Sequence, residues 1–294
     1  MLEKDTNTGI MKYKHSIVLI NVYFGKYPWY FSYFLHSCKF NRDIDFILLT
    51  DCKENIIEVP SHIHLMLYSI DDFRRDASIA LGFDIAIDNG YKLCDFKPAF
   101  GCIFREYTEK FDYWGYCDID LIFGNIREYM SDDLLSVYDV ISSRHDYLTG
   151  SFALYRNTPF VNRLFENSRD YKRVFTSSQH LCFDETNFEF PQFINKVNYI
   201  DIISEIESMT QVVMKLDAEG RIKAYFELQI LEGLPGNMVW DNGDLVYKQS
   251  YSVLYYHLIY FKDFYNIALA PNEAIPDRFE INQTDIRFMD RKIQ

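Results

Sequence analysis

The sequence contains no paired-cysteine motif. Its six cysteines, Cys38, Cys52, Cys94, Cys102, Cys117 and Cys182, are scattered without any C-x-x-C spacing. That distribution points to reduced, mostly buried thiols in a cytoplasmic protein rather than a disulfide framework, and no signal-peptide pattern precedes them. Long apolar runs are missing too. The longest, residues 253–261, is interrupted by His257 and is far short of the ~20 residues that cross a bilayer. Contact with a membrane is therefore at most peripheral, at its inner face. Basic excess is also lacking: Lys and Arg total 30 against 43 Asp and Glu, a net charge of −13. A surface that wraps nucleic acid carries a basic stripe, and none is present. Finally, no internal repeat or low-complexity linker divides the chain.

What the sequence does have is enough apolar material for a core, 48% of 294 residues, which fits a single domain with appended structure. Residues 1–11 are polar and read as a disordered lead-in, with Met11 a second candidate start, and 12–294 as the domain. The 23 tyrosines and 25 phenylalanines suit both core packing and the lining of sugar or base pockets. An acidic chain that binds an anionic small molecule needs a cation to bridge them.

Strand-like and helix-like segments alternate, the pattern of an α/β domain. Residues 16–23 form a β-branched apolar run and predict a first buried strand, followed by helical spacing over 29–39. Strands are predicted at 45–50 and 62–68, and a helix at 71–81 capped by Asp71. The segment 91–100 leads into a helix ending near Lys110, and 112–117 predicts a strand. Further strands are expected at 137–142 and 151–155, with a helix over 160–171. The pattern loosens after Thr176, apart from a hairpin at Asp241-Asn-Gly-Asp244 and an aromatic strand over 251–260.

Asp118-Ile119-Asp120 follows the strand at 112–117. In extended backbone the two aspartates point the same way while Ile119 points into the core. Carboxylates held that close repel each other unless one is protonated or a cation lies between them. A hard divalent ion with oxygen ligands removes the repulsion and leaves positions for phosphate oxygens. The carboxyl ends of buried strands are where open α/β sheets bind ligands. A second copy of the pattern, Asp43-Ile44-Asp45, sits at the start of a strand, where its carboxylates face solvent. The same letters there lack the context.

Asp95-Phe-Lys-Pro-Ala-Phe100, a helix, and then Tyr113-Trp-Gly-Tyr-Cys-Asp-Ile-Asp-Leu-Ile-Phe-Gly-Asn125 resemble bacterial polysaccharide-type glycosyltransferases of the GT-A fold. The segment around Asp95 is more distantly similar to mannosyltransferase-like and clostridial-toxin-like families. The resemblance is specific over 92–125 and looser over 17–154. It implies a GT-A, Rossmann-like architecture: a mixed, mainly parallel sheet flanked by helices, with a looser acceptor-side region. Residues 12–120 would bind a nucleotide-sugar, a UDP-sugar above all, and residues 121–294 would face a glycan or glycolipid acceptor.

By the same resemblance Asp118 and Asp120 bind Mn2+ or Mg2+, Asp95 hydrogen-bonds the donor sugar or ribose, and Lys97 stands near the donor phosphates. The relatives place an arginine one position later, where this chain has Pro98, and an aspartate before a helix is equally an N-cap. Tyr23 would stack on the base and Asp51 accept from base or ribose. His257 would supply a third metal ligand and Lys262 neutralise the leaving diphosphate. Asp184-Glu185 is the candidate general base of an inverting reaction, with an acidic helix start as its plain alternative. A retaining enzyme needs no such base, and the stereochemistry stays open. Gly150-Ser151-Phe152, after the polar Arg144-His145-Asp146 loop, is the expected acceptor-side edge.

Two other readings compete. A metal-dependent phosphohydrolase of the haloacid-dehalogenase type also sets two aspartates after an apolar strand, but after the first strand and with a different following residue. A non-catalytic carbohydrate-binding or assembly protein would carry the same residues with no response to nucleotide or metal. The oligomeric state is not legible.

Overall fold

The structure is a computed structural model that describes residues 13–53, 59–269 and 274–289. The lead-in read at residues 1–11 lies outside them. In chain order the strands are β1 (Ile17–Tyr23), β2 (Asp45–Thr50), β3 (Ile63–Leu67), β4 (Tyr113–Cys117), β5 (Leu121–Phe123), β6 (Val140–Ser142), β7 (Phe152–Arg156) and β8 (Ala224–Tyr225). They continue with β9 (Ile230–Leu231), β10 (Met238–Asp241), β11 (Asp244–Tyr247), β12 (Tyr251–Ser252), β13 (Tyr255–His257), β14 (Arg278–Ile281) and β15 (Ile286–Phe288). The main sheet has the order β3-β2-β1-β4-β7-β6-β8. Its first four strands are parallel, and β7 alone runs against the rest. This is the mixed, mainly parallel sheet flanked by helices that the sequence predicts.

Helices cover both faces of the sheet, so its strands read as continuous apolar runs. Along β1 the period of two still separates them: Val18 and Ile20 enter one core, while Ile17 and Leu19 enter the other. Helix α1 (Phe31–Phe40) lays Phe31, Phe34, Leu35 and Cys38 on the second core, one helical stripe. Helix α2 (Ile70–Leu81) is capped by Ser69 rather than by Asp71. The Ser69 side chain accepts from the Asp72 N–H, Asp72 reaches back in a capping box, and Gly82 closes the helix in the left-handed region at φ 78°. The hydroxyl two residues earlier wins because the backbone is extended there, while Asp71 already lies inside the helix.

Chain order explains where a ligand can bind. From β1 the chain moves outward to β2 and β3, then returns to place β4 on the other side of β1. That reversal opens a crevice at the carboxyl ends of β1 and β4.

Other expectations are revised. Residues 90–99 form a 3-10 helix containing Pro98, followed by short turns at Phe100–Ile103 and Arg105–Thr108; Pro98 lacks the N–H that a continuous helix needs. The single helix over 160–171 is instead a 3-10 segment, Val161–Asn167, and a separate turn, Tyr171–Thr176. The aromatic strand over 251–260 breaks into β12, β13 and a turn at Phe261–Phe264. The hairpin at 241–244 is present, with Asn242 and Gly243 at φ 51° and 97°.

The C-terminal part adds a five-stranded antiparallel sheet, β12-β11-β10-β14-β15, and a small one, β5-β13-β9. Trp240 joins the former to the main body, donating its indole N–H to the Phe123 carbonyl at 2.8 Å and stacking on Phe279. Among the described residues no helix is long and apolar enough to cross a membrane.

His36 on α1 packs beside Trp240 and Phe40 with ring centroids 4.9 and 5.3 Å away, and its Nε2 has no hydrogen-bond partner. Burial pushes the imidazole down to about 4. The fold therefore favours the neutral ring, so its contribution is complete above the ordinary value of 6.5 and is lost as pH falls towards 4. The loss is expected to be on the order of 2 kcal/mol. Urea unfolding of wild type and His36→Phe from pH 7 to pH 4 checks it: the variant should lose less stability over that interval.

Candidate metal centre

The Asp118–Asp120 segment is a turn at the carboxyl end of β4, not the extended strand that the sequence predicts. Ile119 still points into the core, 6% exposed. Backbone bonds set the turn from both sides: the Asp118 N–H donates to the Ser151 carbonyl and the Leu258 N–H to the Asp120 carbonyl. Immediately afterwards β5 pairs antiparallel with β13, with Leu121 opposite His257. A residue 137 positions later is thus delivered beside Asp120 by sheet register.

Asp118, Asp120 and His257 each offer one ligand atom, and these atoms lie within 4.8 Å of one another. Two carboxylates with one imidazole suit a divalent ion of manganese type, and the nitrogen makes an all-oxygen magnesium site the poorer match. Two lysines flank the group. Lys262 Nζ is 2.6 Å from Asp120 Oδ2, and Lys97 Nζ is 2.6 Å from Asp118 Oδ1 and 2.8 Å from the Gly150 carbonyl oxygen. Burial opposes the charge on Asp120, but His257 and Lys262 outweigh it and hold the carboxyl well below its usual range. Burial would likewise depress the His257 imidazole, yet hydrogen bonds to Asp120 and Glu232 raise it to about 10. By contrast Asp43 is exposed, with only its backbone carbonyl held by Arg127 at 3.0 Å, and Asp45 faces the part-exposed His64 at 3.2 Å.

A cavity of about 400 Å³ opens on this group. Asp118, Asp120, Lys97 and Lys262 line one part, and Asn21, Tyr23 and Tyr91 line another. Asn21 also ties the two strand ends together, its amide donating to the Cys117 carbonyl at 2.7 Å. Tyr23 lies parallel to Tyr27 and donates its hydroxyl to the Lys26 carbonyl. Asp51 lies outside the lining, accepting from the Gly25 N–H at 2.7 Å; it holds the loop after β1 in place.

Asp95 is placed away from the cavity. It is fully buried and its carboxylate accepts from Lys92 Nζ (2.8 Å) and the N–H groups of Leu181 (2.8 Å) and Phe183 (2.7 Å). Lys92 spends its other donors on the Val174 and Gln179 carbonyls. This pair pins the segment that carries Asp184-Glu185. Behind Gly150, Asp184 is buried and Glu185 half-buried. A Cβ there would meet Asp184 Oδ2 at 2.5 Å, and Glu185 accepts from the Gly150 N–H at 2.7 Å. Burial raises Asp184 well above the carboxylate range despite Lys97, and raises Glu185 too.

Glu232 is not legible in the sequence as a site residue, and Arg144 is legible only as part of the polar loop before the expected acceptor-side edge. Glu232 Oε1 accepts from His257 Nδ1 at 3.0 Å, and Arg144 reaches Glu232 Oε2 at 2.9 Å. Both line a second cavity of about 840 Å³ together with Tyr247, Lys248 and Tyr251.

Residues 19–290 match the model of a family of unknown function, DUF6625. The chain belongs to that family. No curated protein sequence matches it. Among solved structures it is similar to the galactosyltransferase LgtC in complex with donor and acceptor sugar analogues, at 13% identity and TM-score 0.34, over 74% of this chain and 75% of that one. The glycosyltransferase GlyE of Streptococcus pneumoniae TIGR4 aligns at 12% identity and TM-score 0.30, over 73% and 45%. Apo mouse xyloside xylosyltransferase 1 aligns at 8% and TM-score 0.37, over 74% and 87%. Likenesses this distant carry no inference about activity.

Removing one member of a buried, fully hydrogen-bonded ion pair strands the other charge. Lys92→Met is therefore expected to cost about 3–5 kcal/mol. The double variant Lys92→Met/Asp95→Leu should lose less than either single one, measured by urea denaturation.

Proposed function

We propose that this protein is a metal-dependent glycosyltransferase that takes a sugar from a nucleoside-diphosphate sugar, a UDP-sugar above all, and passes it to a glycan acceptor in surface polysaccharide or glycoconjugate synthesis. One observation carries the reading. Asp118, Asp120 and His257 converge with two flanking lysines at the topological switch point of a mainly parallel sheet, with both aspartates and both lysines on the wall of a cavity whose other part is aromatic.

Each part of the cavity suits a different part of the donor. Tyr23 and Tyr91 offer faces and edges to a base. Asp118, Asp120 and His257 would hold the cation. When bound, that ion supplies positive charge to a diphosphate, whose negative charge grows as the glycosidic bond breaks. Lys262, part-exposed on the cavity wall, is placed to donate to phosphate oxygens as that charge develops. Lys97 is more deeply set. It ties Asp118 to the Gly150 carbonyl and so fixes the carboxylate against the adjoining loop. Asp184 and Glu185 support that loop from behind.

The acceptor fits the second cavity. Arg144 and Glu232 line it, Glu232 contacts His257 of the metal group, and it offers tyrosines for sugar faces beside charged groups for hydroxyls. Against the phosphohydrolase reading stands the position of the motif: it follows the fourth strand of the chain, after β1 and β4 have already become neighbours.

Thermal unfolding with UDP, GDP, ADP and CDP, each with and without Mn2+, tests the proposal. Ligand at a hundred times its Kd adds about 2.7 kcal/mol, which for a domain of this size corresponds to roughly 4–5 °C in Tm. A shift of that order is expected for one nucleoside diphosphate only when Mn2+ is present, and should vanish in Asp120→Ala. Absence of any metal-dependent shift with all four nucleotides would overturn the reading.

A further inference from the structure

His257 can serve a metal only through the nitrogen that faces it, and the structure shows what decides which one does. Its ring is 6% exposed and held on β13 between β5 and β9. Nε2 lies 3.4 Å from Asp120 Oδ2, and Nδ1 lies 3.0 Å from Glu232 Oε1. Glu232 comes from a different segment, but the parallel register of β9 with β13 (Ile230 beside Tyr255, Leu231 beside Tyr256) brings it level with His257. The chain then turns at Gly233, φ 82°, whose carbonyl accepts from the Tyr256 hydroxyl at 2.9 Å. Glu232 is itself held. Arg144 donates to its other oxygen, Oε2, while a two-pronged contact to Asp146 at 2.8 Å and the Tyr147 ring beneath it fix the guanidinium.

We propose that Glu232 is a positioning residue of the metal centre: it holds the His257 Nδ1–H and thereby presents Nε2 to the cation, with Arg144 reserving Glu232 Oε1 for that bond. The proposal rests on the metal site of the functional reading. Glu232 is not itself a ligand, because its contact is with the ring nitrogen on the side away from Asp120. Carboxylates that hold the distal N–H of a ligating histidine fix the ring and strengthen the ligand. What is particular to this chain is the division of labour across one carboxylate, with one oxygen for arginine and the other for imidazole.

That division yields a test that a purely structural role would fail. The full-length chain without nucleotide is titrated with Mn2+, free ion being read by electron paramagnetic resonance and folding by circular dichroism. Glu232→Ala is expected to weaken Mn2+ binding about 10- to 100-fold. Glu232→Gln should weaken it similarly, because Arg144 claims the only carbonyl oxygen and turns the amide N–H₂ towards Nδ1–H. Adding Arg144→Met frees that oxygen, so the double variant Arg144→Met/Glu232→Gln should bind Mn2+ more tightly than Glu232→Gln alone. If Glu232 only braces the fold, the double variant binds no better than the single one, or Glu232→Ala keeps wild-type affinity while Asp120→Ala loses it. Either result overturns the proposal. If the wild type itself binds no Mn2+, the metal reading falls, and that failure is separate from the other two. Should Glu232→Ala not fold, the comparison of Glu232→Gln with the double variant decides alone.

Discussion

The local structure hangs on one electrostatic requirement, the compensation of two aspartates set two residues apart in a tight turn, one of them almost wholly buried. Two like charges about 4 Å apart repel by about 4 kcal/mol at the effective dielectric of a protein near its surface. Nothing in the turn itself relieves this. Relief comes from three cations on three other segments: Lys97 from the 3-10 helix, His257 from β13 and Lys262 from the turn after it. The short strand β5, the β13 pairing and the shape of residues 90–99 all serve to bring those charges in. A site that gathers cations around acids also suits a ligand able to exchange with them, a divalent ion on the carboxylate side and phosphate on the lysine side.

The parts of this arrangement that depend on neighbours in sequence could be read in advance, and the parts that depend on distant pairing could not. The strands β1, β2 and β4 announce themselves by β-branched and aromatic runs, because both faces of each are buried. Asp118 and Asp120 stand out by their place at the end of such a run, and His257 and Lys262 by their spacing in a late aromatic segment. The motif forms a turn rather than an extended pair, and nothing in its letters distinguishes the two until Ser151 and Leu258 hydrogen-bond to either side. Asp95 had the letters of a ligand contact, but Lys92 three residues earlier turns inward and takes its carboxylate. Glu232 carries no pattern at all, and Arg144 is legible only as part of the polar loop before the acceptor-side edge; 88 positions separate them, and the β9–β13 register brings Glu232 to His257.

A short chain of contacts links the linings of the two cavities. Asp118, Asp120 and Lys262 line the first, and Tyr247, Tyr251, Arg144 and Glu232 line the second; His257 is the partition, contacting Asp120 on one side and Glu232 on the other. Such a chain is rigid for a physical reason: each member is buried or half-buried and each charge has a partner on either side, so moving one unpairs two.

The long reach of the Lys262–Asp120 contact, 142 residues, also fixes the order in which the site comes into being during synthesis. Lys97 and Asp118, 21 residues apart, emerge from the ribosome almost together, so the first carboxylate meets its counter-charge at once. The second must wait. At about 5–20 residues per second, Lys262 follows Asp120 by roughly 7 to 28 s. Throughout that interval the nascent chain carries Asp120 without His257 or Lys262, the two cations that compensate it in the finished fold.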